Sequence, residues 1–268
     1  MSTSLGSLVA ALCILGGGVQ AHEFWIEPLD YTVASGETVE ATFRNGEDFE
    51  GSTLSFIGGR SERFDFVAGG ELQPVPARMG DNPALRLEDA PDGLLIVVHE
   101  TADRGLTYRD WAKWVKFVQH KAFDGILQDH RARGLPEAGF RESYRRYAKT
   151  LIAVGDGAGA DGPVGLFTEI VAGANPYSDD LSGGLPVQVL LDGAPKGGAQ
   201  VEMFEKGPDG VGVTLHTADA EGRVVVPVRP GFAYLLDSVA IEPLEPEIEG
   251  DPVWKTHWAA LTFAVPEA

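Results

Sequence analysis

Leu94-Leu-Ile-Val-Val-His99 is a run of five apolar residues that ends in a histidine, and it decides the fold class. A strand this uniformly apolar is typical of the centre of a β-sandwich, where neighbouring strands cover it. The segments before it alternate apolar and polar residues and stop at turn residues. Glu37–Phe43 stops at Asn45-Gly46, and Arg63–Val67 stops at Gly69-Gly70. This spacing predicts an antiparallel β-sandwich.

The same pattern resumes after the glycine-rich segment 155–162. Strand-like runs follow at Leu185–Leu191, Ala199–Glu205, Arg223–Val228 and Trp254–Val265. They are separated by turn residues and predict a second small sandwich. We therefore expect a mainly β fold with two β-sandwich domains, one at residues 22–155 and one at residues 163–268.

A helical excursion is predicted within the first sandwich, at about residues 107–149. The apolar residues that recur there at helical spacing are Trp111, Trp114, Val115 and Val118. Such spacing is typical of an amphipathic helix. Gly134-Leu-Pro136 breaks that helix, and we expect a second helical stretch from Glu137 to Lys149. Thr150–Val154 then predicts a strand that returns to the sheet.

The charge of the chain excludes some classes of function. Its 268 residues include 40 acidic and 21 basic residues, and the formal net charge is −19. Nucleic-acid-binding proteins neutralise phosphates with clustered Lys and Arg, so generic nucleic-acid binding is excluded. Binding to an anionic membrane surface is disfavoured for the same reason. A content of 44% hydrophobic and 23% charged residues is ordinary for a globular protein.

Residues 1–21 predict a cleavable export signal. They contain no Asp, Glu, Lys or Arg, and the apolar run Leu8–Leu15 is too short to span a bilayer. Val19-Gln-Ala21 places small residues at the two positions that a signal peptidase recognises. We expect cleavage after this tripeptide, a periplasmic protein without a later membrane span, and a mature chain that begins at His22. Cys13, the only cysteine, leaves with the signal, so any metal must be bound by nitrogen and oxygen.

Three groups of residues resemble one known family. They are Ala21-His-Glu-Phe-Trp-Ile-Glu-Pro28; Arg141-Glu-Ser-Tyr-Arg-Arg-Tyr-Ala-Lys149 with Thr150-Leu-Ile-Ala-Val-Gly155; and the set Asn175-Pro-Tyr177, Asp192-Gly-Ala-Pro195, Thr217-Ala-Asp-Ala-Glu-Gly222 and Trp254-Lys-Thr-His-Trp-Ala-Ala-Leu-Thr-Phe263. In order and spacing they are similar to the DUF4198 family of exported, NikM-like or nickel-uptake-related proteins. The resemblance covers about residues 22–266. It implies a β-rich exported protein with a prealbumin-like C-terminal sandwich and a link to transition metals.

The resemblance implies no catalytic reaction, and two features of this chain limit it further. Family members often carry a different residue at the position of His257. No transmembrane segment follows the second sandwich, so the resemblance does not imply a permease role.

A histidine at the first position of a mature chain offers two nitrogens to one metal ion, its α-amine and its ring Nδ1. His22 is predicted to occupy that position. One further imidazole would complete a site of three nitrogens, and such ligands suit copper, nickel and zinc. The pKa of an α-amine, about 7.7–8.0, lets a metal ion displace the proton near neutral pH.

Three histidines are candidate partners for His22, although each singly also has an ordinary structural interpretation. His99 ends the apolar run and His120 lies in the predicted helix, and both belong to the first domain. These two are preferred, and His257, which lies between tryptophans, is the reserve. Candidate oxygen ligands, or groups that orient a ligating ring, are Glu23, Glu27 and Glu100.

The sequence thus predicts an exported transition-metal-binding protein for the uptake or delivery of copper, nickel or cobalt. Its expected partner is a membrane metal transporter or another periplasmic protein. The chain has no phosphate-binding loop, no Gly-x-Ser-x-Gly and no His-Glu-x-x-His, so no enzyme is predicted. Two alternatives remain open: a non-catalytic interaction module without a metal, and an oxidative copper enzyme.

Overall fold

The computed structural model describes residues 22–267. This part of the chain is mainly β with two short α-helices, as the strand pattern predicts. The strands are β1 (Glu23–Pro28), β2 (Thr32–Val33), β3 (Val39–Glu47), β4 (Glu50–Leu54), β5 (Ser61–Ala68), β6 (Glu71–Pro74), β7 (Leu85–Leu87), β8 (Gly93–Thr101), β9 (Arg104–Tyr108), β10 (Phe140–Val154), β11 (Thr168–Ala172), β12 (Leu185–Leu191), β13 (Ala194–Pro195), β14 (Gln200–Gly207), β15 (Gly210–Thr217), β16 (Arg223–Val226), β17 (Phe232–Pro243) and β18 (Pro252–Val265). The helices are α1 (Trp111–His120) and α2 (Ile126–Ala132).

The largest sheet has ten strands. Its order is β15-β14-β17-β18-β10-β8-β5-β6, and β2 and β9 also pair with β10. These strands come from both sides of the predicted boundary at residues 155–163. The two parts of the chain therefore share one sheet, and their division into domains 22–155 and 163–268 stays a prediction.

A pair of long parallel strands, β10 and β18, forms the middle of this sheet. Their register runs from Glu142 opposite Trp254 to Thr150 opposite Thr262. On its other edge β10 pairs with β9 near its start and with β8 near its end. The other edge of β18 pairs along its length with β17. Both central strands thus form backbone hydrogen bonds on two sides.

Two smaller sheets cover the two faces of the ten-stranded sheet. One contains β1, β3, β4 and β7, and the other contains β11, β12, β13 and β16. On β8, Leu95 and Val97 pack in a core with residues of β1 and β3, whereas Leu94 and Ile96 pack with residues of β11 and β12. Successive side chains of a strand point to opposite faces. Both faces of β8 are therefore buried, and this explains the unbroken apolar run that predicted a central strand.

The predicted second helix at residues 137–149 is wrong. Residues 140–149 belong to β10, where Phe140 and Glu142 are buried on one face. Arg141, Arg145 and Lys149 recur at helical spacing, but strand pairing on both edges and burial of one face outweigh this local pattern. The helical part of the excursion is confined to α1 and α2.

The first predicted helix is confirmed as α1. The Asp110 side chain caps its N-terminus by accepting a hydrogen bond of 2.9 Å from a backbone N–H of the first turn. Its buried residues Trp114 and Val118 pack with Phe140 and Trp254 at the ends of the central strands. No helix within residues 22–267 is long and apolar enough to cross a membrane.

The central position of β10 can be tested at Leu151, which is 0% exposed. We expect Leu151→Ala to lower the free energy of unfolding by about 2–5 kcal/mol, because apolar contacts are lost and a cavity remains. Urea unfolding followed by tryptophan fluorescence measures the change. The matched control is Leu72→Ala on the edge strand β6, where the side chain is 53% exposed. There we expect a change of about 0.5 kcal/mol or less, and equal losses in both variants would contradict the fold.

Candidate functional site

His22 lies directly before β1 with its ring open to solvent. The predicted signal, residues 1–21 with Cys13 and the cleavage site, lies outside the described residues. The His22 side chain is 52% exposed, and its Nε2 lies 3.8 Å from the Glu47 carboxylate. Its backbone carbonyl accepts a hydrogen bond of 2.7 Å from Nη2 of Arg146. Since the next residues of β1 are buried, the backbone at His22 is held in place while the ring stays accessible.

His99, a preferred partner, is buried inside an aromatic cluster. Its ring packs against Phe24, Phe43 and Phe64, with centroid distances of 5.3, 4.3 and 5.5 Å. Its Nε2 is 2.8 Å from the Ser61 hydroxyl, and its buried Nδ1 has no hydrogen-bond partner among the described residues. Burial lowers the pKa of His99 to about 3, so the ring is neutral at physiological pH.

The other two predicted partners each face a carboxylate. His120, at the end of α1, places Nε2 3.2 Å from Glu202. His257, on β18, lies between the Tyr147 hydroxyl at 3.1 Å and the Glu242 carboxylate at 2.9 Å. The four predicted histidines thus have four different surroundings. In the described part of the chain, no group of three or more His, Cys, Asp or Glu side chains is arranged to hold a metal ion. A shared site for these histidines stays a prediction.

The three predicted oxygen ligands also have separate surroundings. Glu27 forms an ion pair with Arg44. Glu100 forms an ion pair with Arg145 at a distance of 2.8 Å. Glu23 is buried at a cavity of about 190 Å³ that lies beside α1. Glu27 and Glu100 are therefore already paired with guanidinium groups, and Glu23 belongs to a different group of charges.

That group is a buried charge cluster, formed by Lys121, Glu202 and Asp237 and bordered by Glu23 and His120. The Lys121 ammonium donates to Glu202 at 2.7 Å and to Asp237 at 2.8 Å. The exposed fractions of the three side chains are 5%, 6% and 3%. Glu202 and Asp237 lie opposite each other on the paired strands β14 and β17. The lysine that follows α1 thus bridges two carboxylates that would otherwise repel each other.

The surroundings separate the pKa values of the carboxyl groups in this cluster. Burial raises the pKa of Glu23 to about 8, and the charge of Asp237 adds to this shift. Burial also raises the pKa of Asp237, against the attraction of Lys121. Burial acts in the same direction on Glu202, but hydrogen bonds from His120 and Lys121 lower its pKa to about 2.

The lysine of the cluster remains protonated. Burial alone would lower the pKa of Lys121, but the charges of Asp237 and Glu202 outweigh burial and raise it. An ammonium has no free electron pair and cannot act as a nucleophile. The cluster therefore ties α1 to the sheet and charges one wall of the cavity, and it does not have the properties of a catalytic lysine.

Sequence reasoning missed the buried charge cluster because its members are far apart in the chain. Lys121 lies 81 residues before Glu202 and 116 residues before Asp237. One local signal was present. Glu202 and Asp237 are single acidic residues within the apolar runs Val201–Phe204 and Leu235–Ala240. An acid in such a run is expected to need a buried partner.

Removal of the bridging ammonium tests the cluster. We expect Lys121→Met to lower the free energy of unfolding by about 3–5 kcal/mol near neutral pH, because two carboxylates are left buried without a cation. The loss should shrink on acidification, since burial raises the pKa of Asp237 and its carboxylate therefore takes up a proton more readily than an exposed one. Urea unfolding near neutral pH and at about pH 5 measures this loss in the free energy of unfolding. The exposed Lys116→Met on α1 is the control, and a loss that grows on acidification would contradict this account.

His99 makes the stability depend on pH. Its folded-state pKa of about 3 lies below the ordinary value of 6.5, so between these values the unfolded chain binds a proton that the folded chain excludes. Stability should therefore fall as the pH drops below about 6.5. Relative to His99→Leu, the natural chain should lose about 2–3 kcal/mol between about pH 7.5 and about pH 4.5. Urea unfolding of both proteins measures this difference, and a pH-independent difference would contradict a neutral buried ring.

Solved structures resemble this chain only distantly. A tetra-tandem repeat in the extending region of a large adhesion protein covers 91% of this chain, which covers 49% of that structure, at 10% identity and a TM-score of 0.21. A Salmonella alpha-2-macroglobulin mutant covers 93% of this chain, which covers 15% of that structure, at 12% identity and a TM-score of 0.22. The D0-D1 domain of intimin covers 90% of this chain, which covers 97% of that structure, at 9% identity and a TM-score of 0.20. The chain spans about half the length of the adhesion-protein structure. No curated protein matches it.

One family model matches most of the chain. The match covers residues 19–241, from the end of the predicted signal into β17. It includes two of the three groups of residues that carry the resemblance and part of the third. The family is described as a domain of unknown function, and that description names no enzymatic activity. The match confirms the resemblance seen in the sequence: the chain belongs to the DUF4198 family.

Proposed function

We propose that this protein is an exported binding protein for a transition metal ion, with His22 as the residue that holds the ion once residues 1–21 have been removed. A chelate at a chain terminus needs a ring that is accessible and a backbone that is fixed. His22 meets both conditions, because its ring is 52% exposed while Arg146 holds its carbonyl at 2.7 Å.

The contact between His22 and Glu47 carries the proposal. Nε2 of His22, not Nδ1, is the nitrogen placed 3.8 Å from Glu47. Chelation together with the α-amine uses Nδ1, which this arrangement leaves free. A histidine that binds a metal commonly donates its other ring N–H to a carboxylate, which fixes the tautomer and the ring orientation. We propose that Glu47 serves as that carboxylate after a small side-chain rotation shortens the separation of 3.8 Å to hydrogen-bond length.

The surroundings of His22 suit a metal ion that is exchanged. The groove beside it measures about 560 Å³ and is lined by Asn45, Glu47 and Glu50, among others. Two nitrogens from His22 leave coordination positions for water or for a ligand from a partner protein. An ion held in this way can be passed on, as uptake or delivery by a membrane transporter or another periplasmic protein requires.

The test compares two forms of the chain, one that starts at His22 and one with a single alanine before it. We expect the first form to bind one Cu²⁺ or Ni²⁺ per chain tightly in calorimetric titration. The extended form should bind at least tenfold more weakly, because its α-amine is no longer on the histidine. His22→Ala should abolish the tight site, whereas His216→Ala on β15, away from the groove, should retain it.

Glu47→Gln separates the role of the carboxylate from that of the histidine. We expect a loss of about 10-fold to 100-fold in metal affinity with unchanged stoichiometry, as is typical for partners of a ligating ring. Equal binding by the His22-first and the alanine-extended chains would overturn the metal proposal. A non-catalytic interaction module would then be the better interpretation.

A further inference from the structure

A second cavity, of about 270 Å³, lies on the other side of β1 from the buried charge cluster. We call it the arginine pocket, because Arg60, Arg104 and Arg146 line it together with the aromatic rings of Phe24 and Phe43. No Asp or Glu is among the described residues that line it. In a chain with a net charge of −19, a pocket walled only by cationic, neutral polar and apolar groups has a local charge opposite to that of the whole protein.

The two outer arginines are not engaged elsewhere. Within residues 22–267, the guanidinium groups of Arg60 and Arg104 form no ion pair, side-chain hydrogen bond or stacking contact, and both residues are exposed. Arg145 illustrates the contrast, since it forms ion pairs with Glu100 and Asp103. Two uncommitted guanidinium groups at the mouth of one pocket can both turn towards an anion.

The third arginine is fixed deeper in the pocket. Arg146 donates to the Asn45 side-chain carbonyl at 2.8 Å and to the His22 carbonyl at 2.7 Å, and it stacks on the ring of Tyr144 at 4.9 Å. These partners orient the guanidinium without neutralising its charge. Its Nε is buried and has no partner among the described residues. Arg146 is half-buried and forms no ion pair within the described residues, so an anionic ligand can pair with its guanidinium directly.

The inner wall adds an unpartnered polar group and an apolar surface. His99 is 2% exposed and lines the pocket, and its Nδ1 has no hydrogen-bond partner in the described chain. Phe24 and Phe43 lie beside it with centroid distances of 5.3 and 4.3 Å. The Thr101 hydroxyl accepts a hydrogen bond from the backbone N–H of Arg146 and therefore keeps its own proton to donate. The pocket thus combines an apolar floor with polar side chains in its wall, which is typical of a small-molecule site.

We propose that the arginine pocket binds a small organic carboxylate, whose anionic group pairs with Arg60, Arg104 and Arg146 and whose apolar body packs on Phe24 and Phe43. The volume of about 270 Å³ suits a ligand of about the size of one aromatic ring with a short acidic chain. Arginine is the side chain best suited to hold a carboxylate with two parallel hydrogen bonds. This proposal does not depend on metal binding at His22.

Benzoate is the probe that tests the pocket, in calorimetric titration of the intact chain with EDTA present so that metal plays no part. We expect saturable binding of one benzoate per chain. Benzyl alcohol, which lacks the charge, and inorganic phosphate, which lacks the apolar body, should each bind at least tenfold more weakly. No saturable binding of benzoate at millimolar concentration would overturn the proposal. Phosphate binding that equals or exceeds benzoate binding would also overturn it.

Variants at the mouth of the pocket locate the binding. Arg60→Met and Arg104→Met change exposed side chains, so both proteins should fold, and each should weaken benzoate binding about tenfold through the loss of one charge-assisted hydrogen bond. Arg78→Met, an exposed arginine outside the pocket, should leave binding unchanged. If all three variants bound benzoate as tightly as the natural chain does, the benzoate site would lie elsewhere and the proposal would be overturned. Because EDTA removes metal ions from these titrations, neither result bears on whether His22 binds a metal ion.

Discussion

The parallel pairing of β10 with β18 is the interaction on which the rest of the structure depends. It joins strands from the two parts of the chain at the middle of the ten-stranded sheet, so that both faces of that sheet can be covered. A buried ion triad adjoins this centre. Lys149 of β10 lies 2.9 Å from Asp161 and 3.0 Å from Glu169, with exposed fractions of 1%, 0% and 1%. The triad ties the loop after β10 and the start of the outer sheet to the central strand.

The same centre positions the residues proposed to bind ligands. Thr262 of β18 donates a hydrogen bond of 2.6 Å to the backbone carbonyl of Ile26, which fixes β1 over the central strands. Because side chains alternate along a strand, Glu23 borders the cavity of the buried charge cluster while Phe24 borders the arginine pocket. One short strand therefore separates two cavities of different charge, and His22 precedes it directly.

The fold class and α1 could be predicted from the sequence because their signals are local. The apolar run at residues 94–99 predicts a central strand, and the structure places it between two covered faces. The prediction for residues 140–149 was wrong, because basic residues recur there at helical spacing while the strand partner lies about 110 residues further along the chain. For the same reason the pairing of Lys121 with Asp237 and the convergence of three arginines on one pocket could not be predicted. His22 was identifiable because its predicted role depends on its place in the sequence, not on distant contacts.

The register between residues 142–150 and residues 254–262 also determines when folding can finish during synthesis. Contacts of this sequence separation form slowly, since a loop of about a hundred residues must close first. Until the 14 residues of β18 have left the ribosome, one edge of β10 has no partner and its backbone groups stay open to water or to other chains. A nascent chain that is released before residue 252 keeps this edge open and is therefore an aggregation-prone fragment.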